Sequence, residues 1–400
     1  RFSNKDMVHS WGINFQRNIK RINEQYSWNP IDKTKGNYTQ YAGELTGLHN
    51  IKPPIRLSFS PYASTSWTSY EGETDFEHSA GMDLKYGISE SFTLDATLIP
   101  DFGQTAFDDQ VLNLGPFEQR YSEKRSFFTE GTDLFNKGSL FYSRRIGNRA
   151  VGYDDVYDDL ADDEEVIDNP DKVNMLNAIK VSGRTKKGLG IGVFNAITER
   201  TSAKIKNLTT DEIRTVVTEP LANYSVLVLD QQFNQNSSIS IVNTNVLRSG
   251  HFRDANATAL NFDVSDKGNK YNVSGNVKMS SIHEEDDNTK GYSAFLRLAK
   301  THGNIQYNVT HYRANDSYDI RDLGFQRRNN YANYSSSVSY RIFEPTEKFN
   351  SMNISLQTNL RYQNEPYEYS SNQIESRAFF VTISRFAFGF STEFNIGDVY

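Results

Sequence analysis

Apolar and polar residues alternate with a period of two through most of this chain. In 331–343, Ala332, Tyr334, Ser336, Val338, Tyr340 and Ile342 share one face, while Asn333, Ser335, Ser337, Ser339 and Arg341 share the other. In 351–362, Met352, Ile354, Leu356 and Leu360 oppose Asn353, Ser355, Gln357 and Arg361. In 270–279, Tyr271, Val273, Val277 and Met279 oppose Lys270, Asn272, Ser274 and Lys278. Successive side chains of a strand point to opposite faces, so each segment predicts a strand with one apolar and one hydrophilic side. A soluble sandwich would alternate in the same way. These segments, however, run ~9–12 residues, the span of a tilted membrane strand, and soluble strands average ~5–6. There are also roughly fifteen of them, too many for one sandwich. The pattern therefore predicts an all-β fold, an antiparallel transmembrane β-barrel of about 16 or more strands.

The links between segments alternate in length. Short ones fall at 185–187, near Asn236, at 266–269, 301–303 and 344–349, and near Ala387. Long ones fall at 200–221, 249–257, 281–289, 314–330 and 363–373. Outer-membrane barrels have short periplasmic turns and longer outer loops, which assigns the short set to the periplasm. If segments 55–68, 76–86 and 92–99 rise, descend and rise, then 173–184 must descend. Residues 100–172 can thus add no crossing or an even number. Leu140–Arg145 resembles a strand, yet a single crossing there would break the parity. Most of 100–172 is read as one insertion folded into or over the lumen. The same count leaves the last segment, near Phe388–Ile396, rising at the end of the sequence. An open sheet edge in lipid is costly, so a closing strand beyond Tyr400 is expected.

Composition agrees with a barrel and excludes several alternatives. The 400 residues carry a net charge of −7, and their mean hydropathy is negative. Even so, 13% are aromatic, with 23 Tyr and 26 Phe. A polar lumen, an apolar lipid face and interfacial aromatic girdles reconcile the two. No window approaches the ~18–20 apolar residues of a transmembrane helix. Zero cysteines exclude thiol catalysis and a Cys-based zinc site. The mild acidity, without a sustained Lys/Arg cluster, argues against nucleic acid. The partner expected first is outer-membrane lipid.

Several stretches resemble a Bacteroidota outer-membrane β-barrel family of unknown function. The strongest is Leu94-Asp95-Ala96-Thr97-Leu98-Ile99-Pro100-Asp101-Phe102-Gly103-Gln104. Others are Glu123-Lys124-Arg125-Ser126-Phe127-Phe128-Thr129-Glu130-Gly131 and Leu140-Phe141-Tyr142-Ser143-Arg144-Arg145-Ile146-Gly147. Asp322-Leu323-Gly324-Phe325-Gln326-Arg327-Arg328 and Trp11-Gly12-Ile13-Asn14-Phe15-Gln16-Arg17 also match. The resemblance spans about Trp11 to Ala387, and its motifs are specific only in combination. It departs at Ala106, where an acidic residue is usual, so any role for that carboxylate does not carry over. The resemblance implies an outer-membrane barrel following a carbohydrate-binding-like β-sandwich similar to family 9 modules. Residues 1–53 would then be tail and linker from that sandwich, and 54–400 the barrel. It implies no reaction.

The candidate site is the insertion. Asp101, Phe102, Glu123, Lys124, Arg125, Phe127, Phe128, Glu130, Arg144 and Arg145 would form a lumen plug whose paired charges narrow the pore. A purely structural filling held by buried ion pairs is an equal alternative, and the two stay open. The acidic run Asp154, Asp155, Asp158, Asp159, Asp162 and Asp163 offers the oxygens Ca²⁺ takes, but its spacing fits no EF-hand. A solvated, flexible loop is the reading preferred there. The scattered histidines give no metal-ligand spacing, and no cofactor is expected. Gly188, Gly190 and Gly192 lie in a strand with no helix after it, so they serve strand bending or close approach of the plug. Functionally the expectation is a plugged or narrow barrel handling a small solute, with a glycan suggested by the implied sandwich. Its alternatives are an accessory subunit docking other outer-membrane or periplasmic proteins and, less favoured, a hydrolase.

Overall fold

A computed structural model describes residues 8–22, 24–32, 41–49, 51, 56–70, 73–100, 112–234, 236–250, 252–285 and 287–397. Four short strands come first: β1 (His9–Ile13), β2 (Phe15–Ile19), β3 (Glu24–Trp28) and β4 (Gly43–Leu48). They form two small antiparallel sheets, β1 with β4 and β2 with β3. The wall begins with β5 (Leu57–Tyr70), β6 (Glu73–Tyr86) and β7 (Phe92–Leu98). A long insertion carrying β8 (Glu164–Asp168) follows, and the wall resumes with β9 (Met175–Arg184) and β10 (Leu189–Thr198). The next link holds β11 (Thr201–Asn207) and β12 (Ile213–Glu219). Then come β13 (Ala222–Phe233), β14 (Ser237–Arg248), β15 (Asp254–Ser265), β16 (Tyr271–His283) and β17 (Asn288–Lys300). The rest are β18 (Ile305–Ala314), β19 (Tyr331–Arg341), β20 (Phe349–Gln363), β21 (Glu368–Thr382) and β22 (Ala387–Asn395).

Fifteen of these strands make one antiparallel sheet in near-sequential order, with β5 and β22 at its two ends among the described residues. The register confirms the parity argument. β7 pairs directly with β9, Leu98 opposite Asn177 and Phe92 opposite Gly183, and the described residues of 99–174 contribute no strand to the wall. Leu140–Arg145 is not a strand; it lies between and within two 3₁₀ turns, Lys137–Ser139 and Ser143–Arg145.

Alternation sets the two faces. Residues pointing outward along the wall are apolar and exposed: Val193, Leu227, Ile241, Val277, Leu296 and Val338 are all 43–54% accessible. An apolar surface of this extent on every wall segment is stable only against lipid. Tyr271, Tyr307, Tyr340 and Phe388 stand outward near the short turns, where an interfacial aromatic girdle belongs. Above the band, on β10–β15, the outward residues turn polar and bond to one another across strands. Asn195 donates to Asn223 (2.9 Å) and Ser225 (3.1 Å), and Asn243 donates to Asn256 (3.1 Å) and Thr258 (2.8 Å).

These amides explain where the sequence reading placed strand ends wrongly. The links read as 249–257, 281–289 and 363–373 are shorter, because β15 already starts at Asp254, β17 at Asn288 and β21 at Glu368. Backbone pairing continues past the membrane band, where the apolar half of the alternation stops. The acidic run is likewise folded and not a free loop. Asp155–Asp158 forms a helical turn, and β8 joins β11 and β12 in a three-stranded cap over the long-link end. Val156, from within the run, is buried against Ala203 and Ile205.

Candidate functional site

The insertion is a plug with both ends at the long-link end of the wall. The described part descends from about Leu112, turns at Lys137–Ser139 and climbs back through Ile146. At its lowest point Lys137 reaches Asp230 (3.3 Å), eight residues along β13 from Ala222, about 26 Å at strand rise. One side of the plug is apolar and packs on the inner faces of β9–β15. Phe128, Leu134, Phe135, Leu140 and Ile146 share a core with Phe194, Val226, Val228, Val242 and Ala259. Phe194 on β10 is the hub, with Phe128 at 6.0 Å, Phe135 at 6.3 Å and Phe141 at 5.2 Å between ring centroids. Small wall residues let the plug come this close. A Cβ on Gly190 would stand 2.8 Å from the Leu134 side chain, and one on Gly192 3.2 Å from the Phe135 ring.

Polar groups within the plug are matched. Glu123 accepts hydrogen bonds from Arg125 Nε (2.9 Å) and Nη2 (2.8 Å) and from the Ser143 hydroxyl (2.6 Å). Burial pushes the Glu123 pKa up, but the Arg125 hydrogen bonds and charge outweigh it and hold the carboxyl below its ordinary value. Arg125 also donates to the Ile146 and Ser143 carbonyls, tying the descending arm to the ascending one. Lys180, on the inner face of β9, donates to the Phe127 and Glu130 carbonyls, both at 2.6 Å. Glu130 pairs with Lys85 of β6. Asp230 is fully buried between Lys137 and Arg184. Charges this deep are tolerable only when paired, and these are.

At the long-link end a second network joins plug, wall and the 315–330 link. Glu219 accepts from the Val151 backbone N–H (2.7 Å) and from Arg248 Nε (3.0 Å). Arg248 also reaches Asp322 (3.0 Å), which is bound by Arg253 (3.0 Å), and Arg253 continues to Asp319 (2.8 Å). The side chains of Arg248, Glu219 and Asp322 are 5%, 3% and 7% accessible. The link folds inward over the wall: a Cβ on Gly291 would fall 2.2 Å from the Tyr318 Cα, and Tyr142 donates its backbone N–H to Leu323 (2.7 Å). We call this network the latch.

Burial pushes the Asp319 pKa up, but the hydrogen bonds and charge of Arg321, with that of Arg253, hold it at about 2. A depressed carboxylate stabilises the fold above its unfolded value, near 3.8, and loses that contribution as pH falls through about 2. Acidifying from pH 5 towards pH 2 is therefore expected to loosen the 315–330 link. Amide exchange there, corrected for intrinsic rates, should accelerate relative to β17 and β18. Equal protection of link and strands throughout would contradict it.

The plug fills only part of the interior. Between it and the inner faces of β16–β21 lies a cavity of about 950 Å³. Lys278 of β16, Arg361 of β20, and Arg327 and Arg328 of the link face it, with Tyr318, Tyr331 and several amides. No Asp or Glu is among its described lining residues. The Tyr318 hydroxyl is buried and has no hydrogen-bond partner among the described residues. A smaller cavity of about 360 Å³ lies over the latch, and its arginines are all engaged with carboxylates.

Of the residues anticipated from sequence, Glu123, Arg125, Phe127, Phe128 and Glu130 meet in the plug as described. Lys124 gives its backbone N–H to Glu123 (3.0 Å). Arg144 donates to the Ser122 carbonyl, while Arg145 pairs with Glu118 (2.6 Å) and donates to the Gly324 carbonyl (3.0 Å). Asp101 and Phe102 lie outside the described residues. The acidic residues 154–163 come together with no set of three or more carboxylates or histidines able to hold a metal among the described residues. The latch and the cavity cations were not anticipated as sites. Asp322, Arg327 and Arg328 stood only within one of the matching stretches, and Lys278 and Arg361 showed only as charge on the hydrophilic side of a strand, which is not distinctive in a wall with a water-filled lumen.

An apolar outer face, polar or plug-covered inner positions and an inward-folded insertion define a filled β-barrel of the bacterial outer membrane. Residues 53–400 match the family model described as Domain of unknown function (DUF5916), and the chain belongs to that family. Comparison with curated proteins gave no match. Among solved structures, the chain is similar to the outer membrane protein opdK from Pseudomonas aeruginosa, at 8% identity and TM-score 0.34, covering 86% of this chain and 84% of that one. It is also similar to OccK8 (OprE) from Pseudomonas aeruginosa, at 7% identity and TM-score 0.35, covering 88% and 86%. OccAB2 from Acinetobacter baumannii follows at 9% identity and TM-score 0.24, covering 85% and 91%.

Proposed function

We propose that the protein is a plugged outer-membrane channel that handles or passes a small solute through the cavity between plug and wall. The observation that carries this reading is the one-sidedness of the plug. It is sealed by an apolar core against β9–β15, whereas the β16–β21 side keeps a polar cavity of about 950 Å³. That volume lies within the range of roughly 300–1,000 Å³ usual for small-molecule sites. The side-chain amide of Asn333, with the side-chain carbonyls of Asn329 and Gln363 beside Tyr331, suits a hydroxyl-rich solute, which supports a glycan-related one. With the short turns periplasmic, the cavity would open towards the cell exterior. The test is single-channel recording of the full chain in planar bilayers, where small discrete steps are expected. No steps in the intact protein or in a plug-less variant would sink transport.

The outward amide ladder on β10–β15 favours a second, lesser reading: an accessory subunit whose partner covers those amides. A photo-crosslinking residue at Asn243 should then capture protein, while one at Leu298 captures lipid. Lipid alone at both positions would dispose of it.

A further inference from the structure

The cavity differs from the rest of the interior in its charge balance. In the plug and latch, each inward cation described above has a carboxylate or carbonyl to hold. In the cavity, Lys278, Arg327 and Arg361 have no such partner among the described residues, and the lining brings no acid to them. Arg328 stacks on Phe117, its guanidinium 4.4 Å from the ring centroid. Such cations gather on a concave, partly desolvated surface only at an energetic cost, and that cost falls when an anion joins them. Tyr318 adds a second, independent mark. A buried hydroxyl left without a partner is rare in native interiors, and it lines this same cavity.

We propose that the cavity binds a solute bearing an oxyanion, a carboxylate, phosphate or sulfate. Lys278 and Arg361 hold the charge, and the Tyr318 hydroxyl donates a hydrogen bond to the same solute. Lys278, on the inner face of β16, and Arg361, on that of β20, approach the cavity from different strands. An anion between them would be held by charge-assisted bonds that neither cation now makes. The inference rests on the reading of this cavity as the place of the solute, and adds the chemistry of the group recognised there.

The test uses the full chain in detergent, its folding checked by heat-modifiable migration, and calorimetric titration with glucuronate, glucose and benzoate. Glucuronate and glucose share a ring and differ in the carboxylate. Glucuronate should bind at least about tenfold more tightly than glucose, and added salt should weaken it. The double variant Lys278→Gln, Arg361→Gln should lose about tenfold or more, Tyr318→Phe less, and Lys204→Gln on the cap nothing. Benzoate matching glucuronate would support the oxyanion site and overturn the saccharide part of the channel reading. Equal affinity for glucose and glucuronate, or glucuronate binding unchanged in the double variant, would overturn the oxyanion site. So would an absence of binding by all three, whatever the bilayer recordings show. Conductance without anion binding would leave the channel and remove this inference; binding without conductance would do the reverse.

Discussion

Replacing residues 100–172 by a short Gly/Ser linker is expected to raise single-channel conductance about tenfold, because walls of this strand number leave an aqueous channel when nothing fills them. The geometry permits the excision. Leu98 and Asn177 are register partners on adjacent strands, so a few residues can bridge β7 to β9 without disturbing either ladder. The variant loses stability as well as its plug. Phe194, Val226, Val228 and Val242 would face water, and each buried side chain of that size contributes about 1.5–3 kcal/mol. Replacing Phe194 and Val228 by Thr in the same variant restores a polar lumen and separates a blocked pore from a collapsed one. Equal conductance of intact and excised protein, with both correctly inserted, would show that the plug is not the restriction.

Arg248→Met should release the latch. It strips Glu219 of the charge partner described for it and Asp322 of one of its two, leaving Arg253, and both carboxylates are almost entirely buried. Breaking a buried pair by removing one member costs about 3–5 kcal/mol, since the other charge is left uncompensated. Trypsin added to proteoliposomes should then cut the 315–330 link, at Arg321 or Arg327, much faster than in the native protein. Arg248→Lys keeps the charge but not the two-pronged donor, and should fall between. Replacing Arg248, Glu219 and Asp322 together by Met, Gln and Asn removes the stranded charges, so it should harm stability less than Arg248→Met alone. Unchanged cleavage in Arg248→Met would mean that the Tyr142–Leu323 bond and the packing over Gly291 hold the link without the latch.

The wall was legible in the sequence because lipid imposes a rule. Alternate residues of a membrane strand are mostly apolar, and Met352, Ile354, Leu356 and Leu360 follow it, with Thr358 departing and bonded to Ser336 across the strands. The rule ends where the membrane ends, so Asn256, Ser281 and Asn288 were read as links although their backbones still pair. Link parity needs only a count of crossings, and it identified the insertion without resolving anything inside it. The plug fold has no period to detect: its aromatic cluster forms on Phe194 from residues more than fifty positions away, and its carbonyls at Phe127 and Glu130 are held by Lys180 of the wall, distant in sequence as well. The latch was hidden for the same reason. Glu219, Arg248 and Asp322 are unremarkable surface-type residues in sequence and become one network only after three links fold together.

The pairing of β7 with β9 also fixes what the plug costs in chain entropy. Closing a loop grows expensive only with the logarithm of its length, about 0.6 kcal/mol for each doubling. The detour between Leu98 and Met175 is roughly four doublings longer than a tight four-residue turn, so it adds about 2.5 kcal/mol. One well-buried phenylalanine of the plug offsets that sum. To the wall, a long insertion and a short turn at this position are nearly equivalent, so the contents of the lumen can change while the register of all fifteen strands stays as it is.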